Sequence, residues 1–204
     1  MSDVINNIYK TKVYGVVRAK ERDRAVEITK AMFDGWIKVV ELNMHTEGDL
    51  YYTIDKASSI KGLDVVAGGI ITAEQALYAI QAGAKVISSP IIQTNLVKLS
   101  KWYEIPLILT ASTPNEAYTA WKYGVSLIKM FPIENLGGAK YVEDVLRPMP
   151  FLNLMPTGSV KLVQADQYIK AGARAVAVGR EIYLNSTYKE IAEKSAKFLK
   201  YVGS

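Results

Sequence analysis

The amino-acid sequence predicts an α/β protein, a compact (β/α)8 TIM barrel, and three observations lead there. Short apolar runs alternate with longer amphipathic ones along all 204 residues, the rhythm of repeated strand–helix units. The apolar runs are near-continuous, as in parallel strands covered on both faces. A glycine recurs where a helix gives way to a strand, in Asp34-Gly35-Trp36, Ala82-Gly83-Ala84, Tyr123-Gly124-Val125 and Ala171-Gly172-Ala173; there it would supply the left-handed residue that ends a helix. Eight units close a barrel, and this length is at the compact limit of that fold. An open doubly wound sheet is the alternative, weakened because no G-x-G-x-x-G follows the first strand.

Taken in order, the strands are expected at 13–18, 37–43, 63–67, 86–88, 106–109, 125–129, 152–156 and 175–178, each rich in β-branched or aliphatic residues. The helices between them are expected at 22–34, 50–60, 73–82, 93–102, 114–123, 139–146 and 162–171, with 188–202 closing the chain. Thr72 before Ala-Glu-Gln reads as a capping box, and Thr113-Pro114 with Glu116 as an N-cap with proline at the first helical position. No Pro/Gly/Ser-rich linker divides the sequence, so residues 1–204 read as a single barrel domain with a large core.

Composition excludes several chemistries. There is no cysteine, hence no disulfide, thiolate catalysis or cysteine-ligated metal, and the single histidine, His45, cannot build a multi-histidine metal site. The net charge of +5 is spread over scattered lysines and arginines, with no basic helix or aromatic-and-basic stripe, so no nucleic-acid partner is expected. Residues 1–12 are polar, without the apolar region of a signal peptide, and no apolar run has the length of a membrane span. A cytoplasmic protein with no membrane partner is the expectation.

The chemistry is sought at the carboxyl ends of the strands. Strand side chains alternate, so Leu127, Lys129 and Phe131 share one face while Ile128 and Met130 take the other. A lysine on the lumen face would be desolvated, which penalises its charged form and frees an amine to attack a carbonyl. The stretch by itself favours a plainer reading, a strand-end lysine snorkelling to water. Val39, Glu41 and Asn43 likewise share a face, inward if Val40 and Leu42 meet the helices. An inward glutamate and lysine in one barrel mouth form either an acid/base and amine pair or a buried structural ion pair, and pattern alone leaves both open.

These segments also resemble a known family. Val40-Glu41-Leu42-Asn43-Met-His-Thr-Glu47, Ile128-Lys129-Met-Phe-Pro-Ile-Glu134 with Gly137-Gly138, and Pro156-Thr157-Gly158 are similar to the class I aldolases of 2-keto-3-deoxy-6-phosphogluconate and 4-hydroxy-2-oxoglutarate. The resemblance runs from Val13 to the last helix, and the Lys-x-Phe-Pro segment is its most specific part. It implies a (β/α)8 barrel, usually a homotrimer, that needs no metal or organic cofactor. It implies reversible cleavage of a 4-hydroxy-2-oxo acid to pyruvate and an aldehyde. Lys129 would form the Schiff base and Glu41 would move the protons. Thr157, Gly158, Ser159, Phe131, Gly179, Arg180, His45 and Arg18 would contact substrate, Arg18 as an anion binder.

Departures from the family pattern fall in the recognition loops. His45 stands where many members carry an arginine for the pyruvate carboxylate. Gly-Ala-Gly-Thr after the third strand reads Ala67-Gly68-Gly69-Ile70, and the Pro-Gly after the fifth is replaced by Leu109-Thr110. Thr-Gly-Gly after the seventh strand reads Thr157-Gly158-Ser159, and Gly-Gly-Ser after the eighth reads Gly179-Arg180-Glu181. The last two loops cradle phosphate in the phosphogluconate enzymes, so a short, unphosphorylated substrate is expected. Two rivals remain: a barrel isomerase or epimerase for a sugar phosphate, and a catalytically idle barrel kept as an oligomeric interaction module.

Overall fold

A computed structural model describes residues 3–43 and 46–203. The elements in chain order are α1 (Asp3–Thr11), β1 (Val13–Arg18), α2 (Arg22–Asp34), β2 (Val39–Asn43), α3 (Glu47–Ser58), β3 (Asp64–Ala67), α4 (Ala73–Gln81), β4 (Val86–Ser89) and α5 (Thr94–Trp102). Then come β5 (Leu107–Ala111), α6 (Pro114–Lys122), β6 (Leu127–Met130), α7 (Ile133–Leu136), α8 (Gly138–Leu146) and β7 (Leu154–Pro156). A 3-10 turn (Leu162–Gln164), α9 (Ala165–Lys170), β8 (Val176–Val178), α10 (Arg180–Tyr183) and α11 (Tyr188–Gly203) complete it.

The eight strands form one parallel sheet in the order β7-β6-β5-β4-β3-β2-β1-β8. Strands follow sequence order and β1 pairs with β8, which rules out the reversal point of an open doubly wound sheet. The remaining seam, between β7 and β8, is bridged where the Arg174 N–H donates to the Leu154 carbonyl (2.9 Å) and Arg174 Nε to Asn153 Oδ1 (2.9 Å). The result is a nearly closed (β/α)8 barrel, as the alternating pattern predicts.

Two apolar cores follow from strand alternation. Val40, Leu42, Ile128 and Met130 face outward into the large core under the helices. Tyr14, Val39, Val66, Val86, Ile108, Leu127, Met155 and Ala175 fill the lumen. Val4, Ile5 and Ile8 of α1 join that inner cluster, so α1 lies across the amino-terminal end of the barrel and plugs it. Each such buried aliphatic side chain contributes about 1.5–3 kcal/mol. Sequence reading takes residues 1–12 as a polar flank; the apolar residues at positions 4, 5 and 8 are one helical face. Asn7 anchors the plug, donating to Asp64 Oδ2 (3.1 Å), while Lys85 pairs with Asp64 Oδ1 (2.8 Å).

Both expected capping boxes are present, at Thr72/Gln75 and Thr113/Glu116, the latter with Pro114 at the helix start. The glycine punctuation holds at Gly83, Gly124 and Gly172, with φ of 106°, 84° and 100°. It fails at Gly35, whose φ is −82°; Trp36 takes the left-handed conformation instead, at 71°. Gly35 is needed for closeness, because a Cβ there would lie 2.4 Å from the Ala192 carbonyl oxygen and from Ser195 Cβ of α11. Among the described residues, no helix is long and apolar enough to cross a membrane.

Candidate active site

The inward parity expected of Glu41 and Lys129 is what the barrel shows. Leu127 belongs to the lumen cluster and Ile128 to the outer core, so Lys129, two residues beyond Leu127, projects inward. Val39 and Val40 divide the same way and send Glu41 into the lumen from the opposite wall. Their side chains meet in an ion pair, Lys129 Nζ to Glu41 Oε2, with residue exposures of 6% and 3%. The lysine therefore does not snorkel to water.

Glu41 is held by more than Lys129. The Tyr14 hydroxyl donates to the same oxygen, Oε2 (2.5 Å), and Asn43 Nδ2 donates to Oε1 (2.9 Å). Burial alone would raise the Glu41 carboxyl, but the Lys129 charge and the hydrogen bonds from Lys129, Tyr14 and Asn43 outweigh it, leaving the pKa below the ordinary carboxylate value. Burial and the adjacent carboxylate push the Tyr14 phenol well above its ordinary value, so it stays a hydroxyl and a donor. Lys129 Nζ also sits 5.4 Å from the centre of the Tyr14 ring, within cation–π range.

Gly68, just past β3, gives the carboxylate its room. A Cβ there would fall 2.6 Å from both Glu41 Oε1 and Asn43 Oδ1. The substitution of the family pattern by Ala67-Gly68-Gly69 thus accompanies an asparagine that occupies the adjoining space. Thr110 of β5 lies in register with Lys129 and is tied down by donating to the Ser89 carbonyl (2.9 Å).

The remaining sequence-selected residues fall on two sides of the mouth. Phe131, half exposed, packs on the turn after β7: a Cβ on Gly158, whose φ is 100°, would lie 2.9 Å from the Phe131 ring. The Thr157 N–H donates to the Met130 carbonyl (3.0 Å) and its own carbonyl accepts from the Ile133 N–H (2.9 Å), so this turn is tied to both sides of Phe131-Pro132. Ser159 is exposed, with a left-handed φ of 56°.

On the other side, Gly179 leads into α10, and Arg18 and Arg180 both face solvent. Burial raises the Tyr183 phenol, against the hydrogen bond and the two guanidiniums of Arg180 and Arg18, which pull it down. Both arginines therefore lie near one hydroxyl. Tyr183 also accepts from the Arg18 N–H and donates to its carbonyl, both at 3.1 Å. A cleft of about 520 Å³ opens beside Arg18, lined by Arg24, Ile28, Tyr183, Leu184 and Asn185 among others. It borders neither Lys129 nor Glu41, so it is a neighbour of the mouth and not the lumen site itself. His45 lies outside the described residues.

Tyr14 carries no signal as a site residue in the sequence, since a tyrosine in an apolar strand reads as ordinary strand composition. Only the barrel brings it to Glu41.

Comparison with known proteins gives a consistent set of likenesses. Residues 4–195 match the family model described as aldolase, KDPG and KHG aldolase. The 2-dehydro-3-deoxy-phosphogluconate aldolase of Treponema pallidum is 28% identical over 186 residues, covering 88% of this chain and 85% of that protein. The KHG/KDPG aldolase of Escherichia coli K12 is 29% identical over 157 residues, covering 77% of this chain and 74% of its own length. The crystal structure of KDPG aldolase from Legionella pneumophila, with pyruvate captured at low pH as a covalent carbinolamine, superposes with a TM-score of 0.80 at 24% identity, covering 94% of this chain and 96% of that one.

Proposed function

The chain belongs to the KDPG and KHG aldolase family, and from that premise we propose that it cleaves a 4-hydroxy-2-oxo acid to pyruvate and an aldehyde through a Schiff base on Lys129. That it is an aldolase, a carbon–carbon lyase, follows from the family; the lysine and the proton carrier are our reading. One observation carries it: an amine and a carboxylate, both buried, paired across the lumen near the carboxyl ends of β6 and β2.

The steps follow from the geometry. The Lys129 ammonium passes its proton to Glu41 Oε2, and the neutral amine attacks the C2 carbonyl of the oxo acid, a proton moving from nitrogen to oxygen as the carbinolamine forms. Glu41, whose Oε2 already contacts Nζ, delivers the proton with which the C2 hydroxyl leaves as water, giving an iminium. The iminium withdraws electrons from the C3–C4 bond. Glu41, now a carboxylate, takes the proton of the C4 hydroxyl as that bond breaks, releasing the aldehyde and leaving an enamine on Lys129. Protonation at C3 and hydrolysis return pyruvate and the free amine. The lysine itself supplies the electron sink, so the chemistry asks for no metal. The carbinolamine captured in the Legionella enzyme is the species proposed here for the first step.

For substrate, we carry the proposal to a short, unphosphorylated acid such as 4-hydroxy-2-oxoglutarate. Glu181 stands exposed at the start of α10, where the family places a serine hydroxyl, and an ionised carboxylate only accepts hydrogen bonds. Arg18 and Arg180, near the same tyrosine, would hold the distal carboxylate. A homotrimer in the cytoplasm, the arrangement the resemblance implies, is part of the same proposal and is checked by light scattering and fractionation.

The deciding experiment incubates the protein with pyruvate and borohydride and reads the intact mass. One reduced pyruvate adduct, mapped to Lys129, is expected. No adduct, or an adduct on another lysine, overturns the assignment.

A further inference from the structure

In the lower lumen Val39, Val66, Val86, Ile108, Leu127, Met155, Ala175 and Ala177 surround Tyr14. Its ring is fully buried. A hydroxyl taken into such a layer costs stability unless it finds a partner, and the apolar filling could be done by phenylalanine. The register places Val16 opposite Glu41 and Gly15 opposite Val40, so Tyr14 starts one layer beneath Glu41 and reaches up to it.

We propose that Tyr14 is a positioning residue for the reaction: its hydroxyl fixes Glu41 Oε2 at the Lys129 amine and keeps it there when the lysine loses its charge. This rests on the reading of Glu41 as the proton carrier. Two donors share Oε2, the Lys129 ammonium and the Tyr14 hydroxyl. The first is consumed by the chemistry, because the amine must be neutral to attack and stays neutral in the carbinolamine. At those stages the proton has passed to Glu41 and no ion pair anchors its carboxyl group. The Tyr14 bond does not depend on the lysine's protonation, and Asn43 steadies the other oxygen.

The phenol is supported in turn. The Ser88 hydroxyl of β4, itself buried, is within hydrogen-bonding reach of the Tyr14 oxygen. Ser88 to Tyr14 to Glu41 is then a chain of donors all pointing toward the carboxylate, in which each bond strengthens the next. The elements packed on Glu41 present few titrating groups: Lys129 from β6 and Tyr14 from β1, while Asn43, Ser88 and Gly68 do not titrate in the accessible range. A shift in Glu41's proton affinity on removing the phenol is therefore readable without interference.

The test compares the full-length protein with Tyr14→Phe, which keeps the ring and removes the hydroxyl. The expected result has three parts. The borohydride-trapped pyruvate adduct persists at Lys129. The kcat for cleavage falls by roughly 10- to 100-fold, the worth of a hydrogen bond to a charged group, with KM little changed. The acid limb of the kcat/KM profile moves to higher pH, because Glu41 has lost a bond that favoured its ionised form. Ser88→Ala should move the limb the same way by less, and serves as the readout if Tyr14→Phe fails to fold. An unchanged rate and acid limb in Tyr14→Phe, or an unmoved limb in Ser88→Ala where the first is unfolded, overturns the proposal and leaves the ring as lumen packing. Loss of the adduct in folded Tyr14→Phe also overturns it, by placing Tyr14 in imine formation. If the unaltered protein traps no pyruvate and cleaves no 4-hydroxy-2-oxo acid, the aldolase chemistry itself fails and this role falls with it.

Discussion

Lys129 on β6 and Glu41 on β2 stand 88 positions apart in sequence and meet across the lumen, Nζ against Oε2. A buried pair of this kind is weak evidence of stabilisation, because desolvation offsets most of the attraction. Breaking it from one side is costly. Those two facts separate what each partner's replacement should do.

Lys129→Met removes the amine and keeps much of the side chain's volume. The pyruvate adduct should vanish from the intact mass spectrum. Glu41 is left as an uncompensated buried carboxylate, with a stability loss of about 3–5 kcal/mol at neutral pH. The double variant Lys129→Met/Glu41→Gln should recover most of that loss in urea titrations. Lys129→Arg should also lack the adduct, since a guanidinium does not give up its proton. An adduct surviving in either single variant assigns the Schiff base elsewhere.

Glu41→Gln keeps the shape and removes proton transfer. Cleavage should fall by about 10²–10⁴-fold, the usual contribution of a general acid/base. Adduct formation with pyruvate should continue, more slowly. An unaltered cleavage rate would leave Glu41 a purely structural partner of Lys129.

The same carboxylate should make the fold acid-sensitive. Its folded-state pKa is lowered, burial being outweighed by Lys129 and the hydrogen bonds, so the unfolded chain binds that proton more readily. The stability it contributes is whole above the ordinary carboxylate value of about 4.3 and drains away as pH falls toward the lowered folded value. Urea midpoints measured from pH 5 to pH 3 should fall more steeply for the unaltered protein than for Glu41→Gln. Parallel slopes would show that other carboxylates govern the acid limb.

Gly68→Ala places a methyl group 2.6 Å from Glu41 Oε1 and Asn43 Oδ1. The carboxylate has to give way together with Asn43, whose amide is hydrogen-bonded to it and meets the same methyl. A displacement near 1 Å at a reacting group costs about 10²-fold. The kcat should drop by that order with the barrel still folded by circular dichroism. Full activity in Gly68→Ala would mean that the Glu41 position is less constrained than its three hydrogen bonds indicate.

Glu181 governs the phosphate question. We expect kcat/KM for unphosphorylated 2-keto-3-deoxygluconate to exceed that for its 6-phosphate, and Glu181→Ser to raise the latter by roughly fivefold, the worth of one unit-charge repulsion at about 4 Å in water. A strong preference of the unaltered protein for the phosphorylated acid would show Arg180 neutralising Glu181 and gripping the phosphate.

The barrel and its central pair are legible in the sequence because both rest on period-two alternation. Leu127 and Val39 point into the lumen and Lys129 and Glu41 must follow, whatever the loops do. The donors around Glu41 are not legible, because they come from separate strands. Tyr14 reads as a strand former on β1, and only the stagger between β1 and β2 lifts its hydroxyl to the carboxylate. The short α7 and α10 escape prediction at four residues each, too few for a helical period to show. α1 has the period, but its apolar face is narrow, and the cluster it completes is gathered from strands spread along the whole chain, from Tyr14 to Ala177. Gly35 shows a third kind of blind spot, a glycine kept for the approach of α11 more than 150 residues later and not for its own backbone angle.

The helix lying across the amino-terminal end of the barrel has a kinetic consequence. With Val4, Ile5 and Ile8 corking the far end, the described residues leave the lumen open toward the carboxyl ends of the strands. Under the proposed chemistry, everything that reaches or leaves the Lys129 amine uses that opening, including the water expelled from the carbinolamine. Cleavage leaves one fragment tethered deep inside and the other loose and nearer the exit. The loose aldehyde departs first, and in the synthetic direction the oxo acid must moor to the lysine before the aldehyde enters. The tether sets the order of loading and unloading, and a nine-residue helix on the side of the barrel where no chemistry takes place turns both movements toward the same mouth.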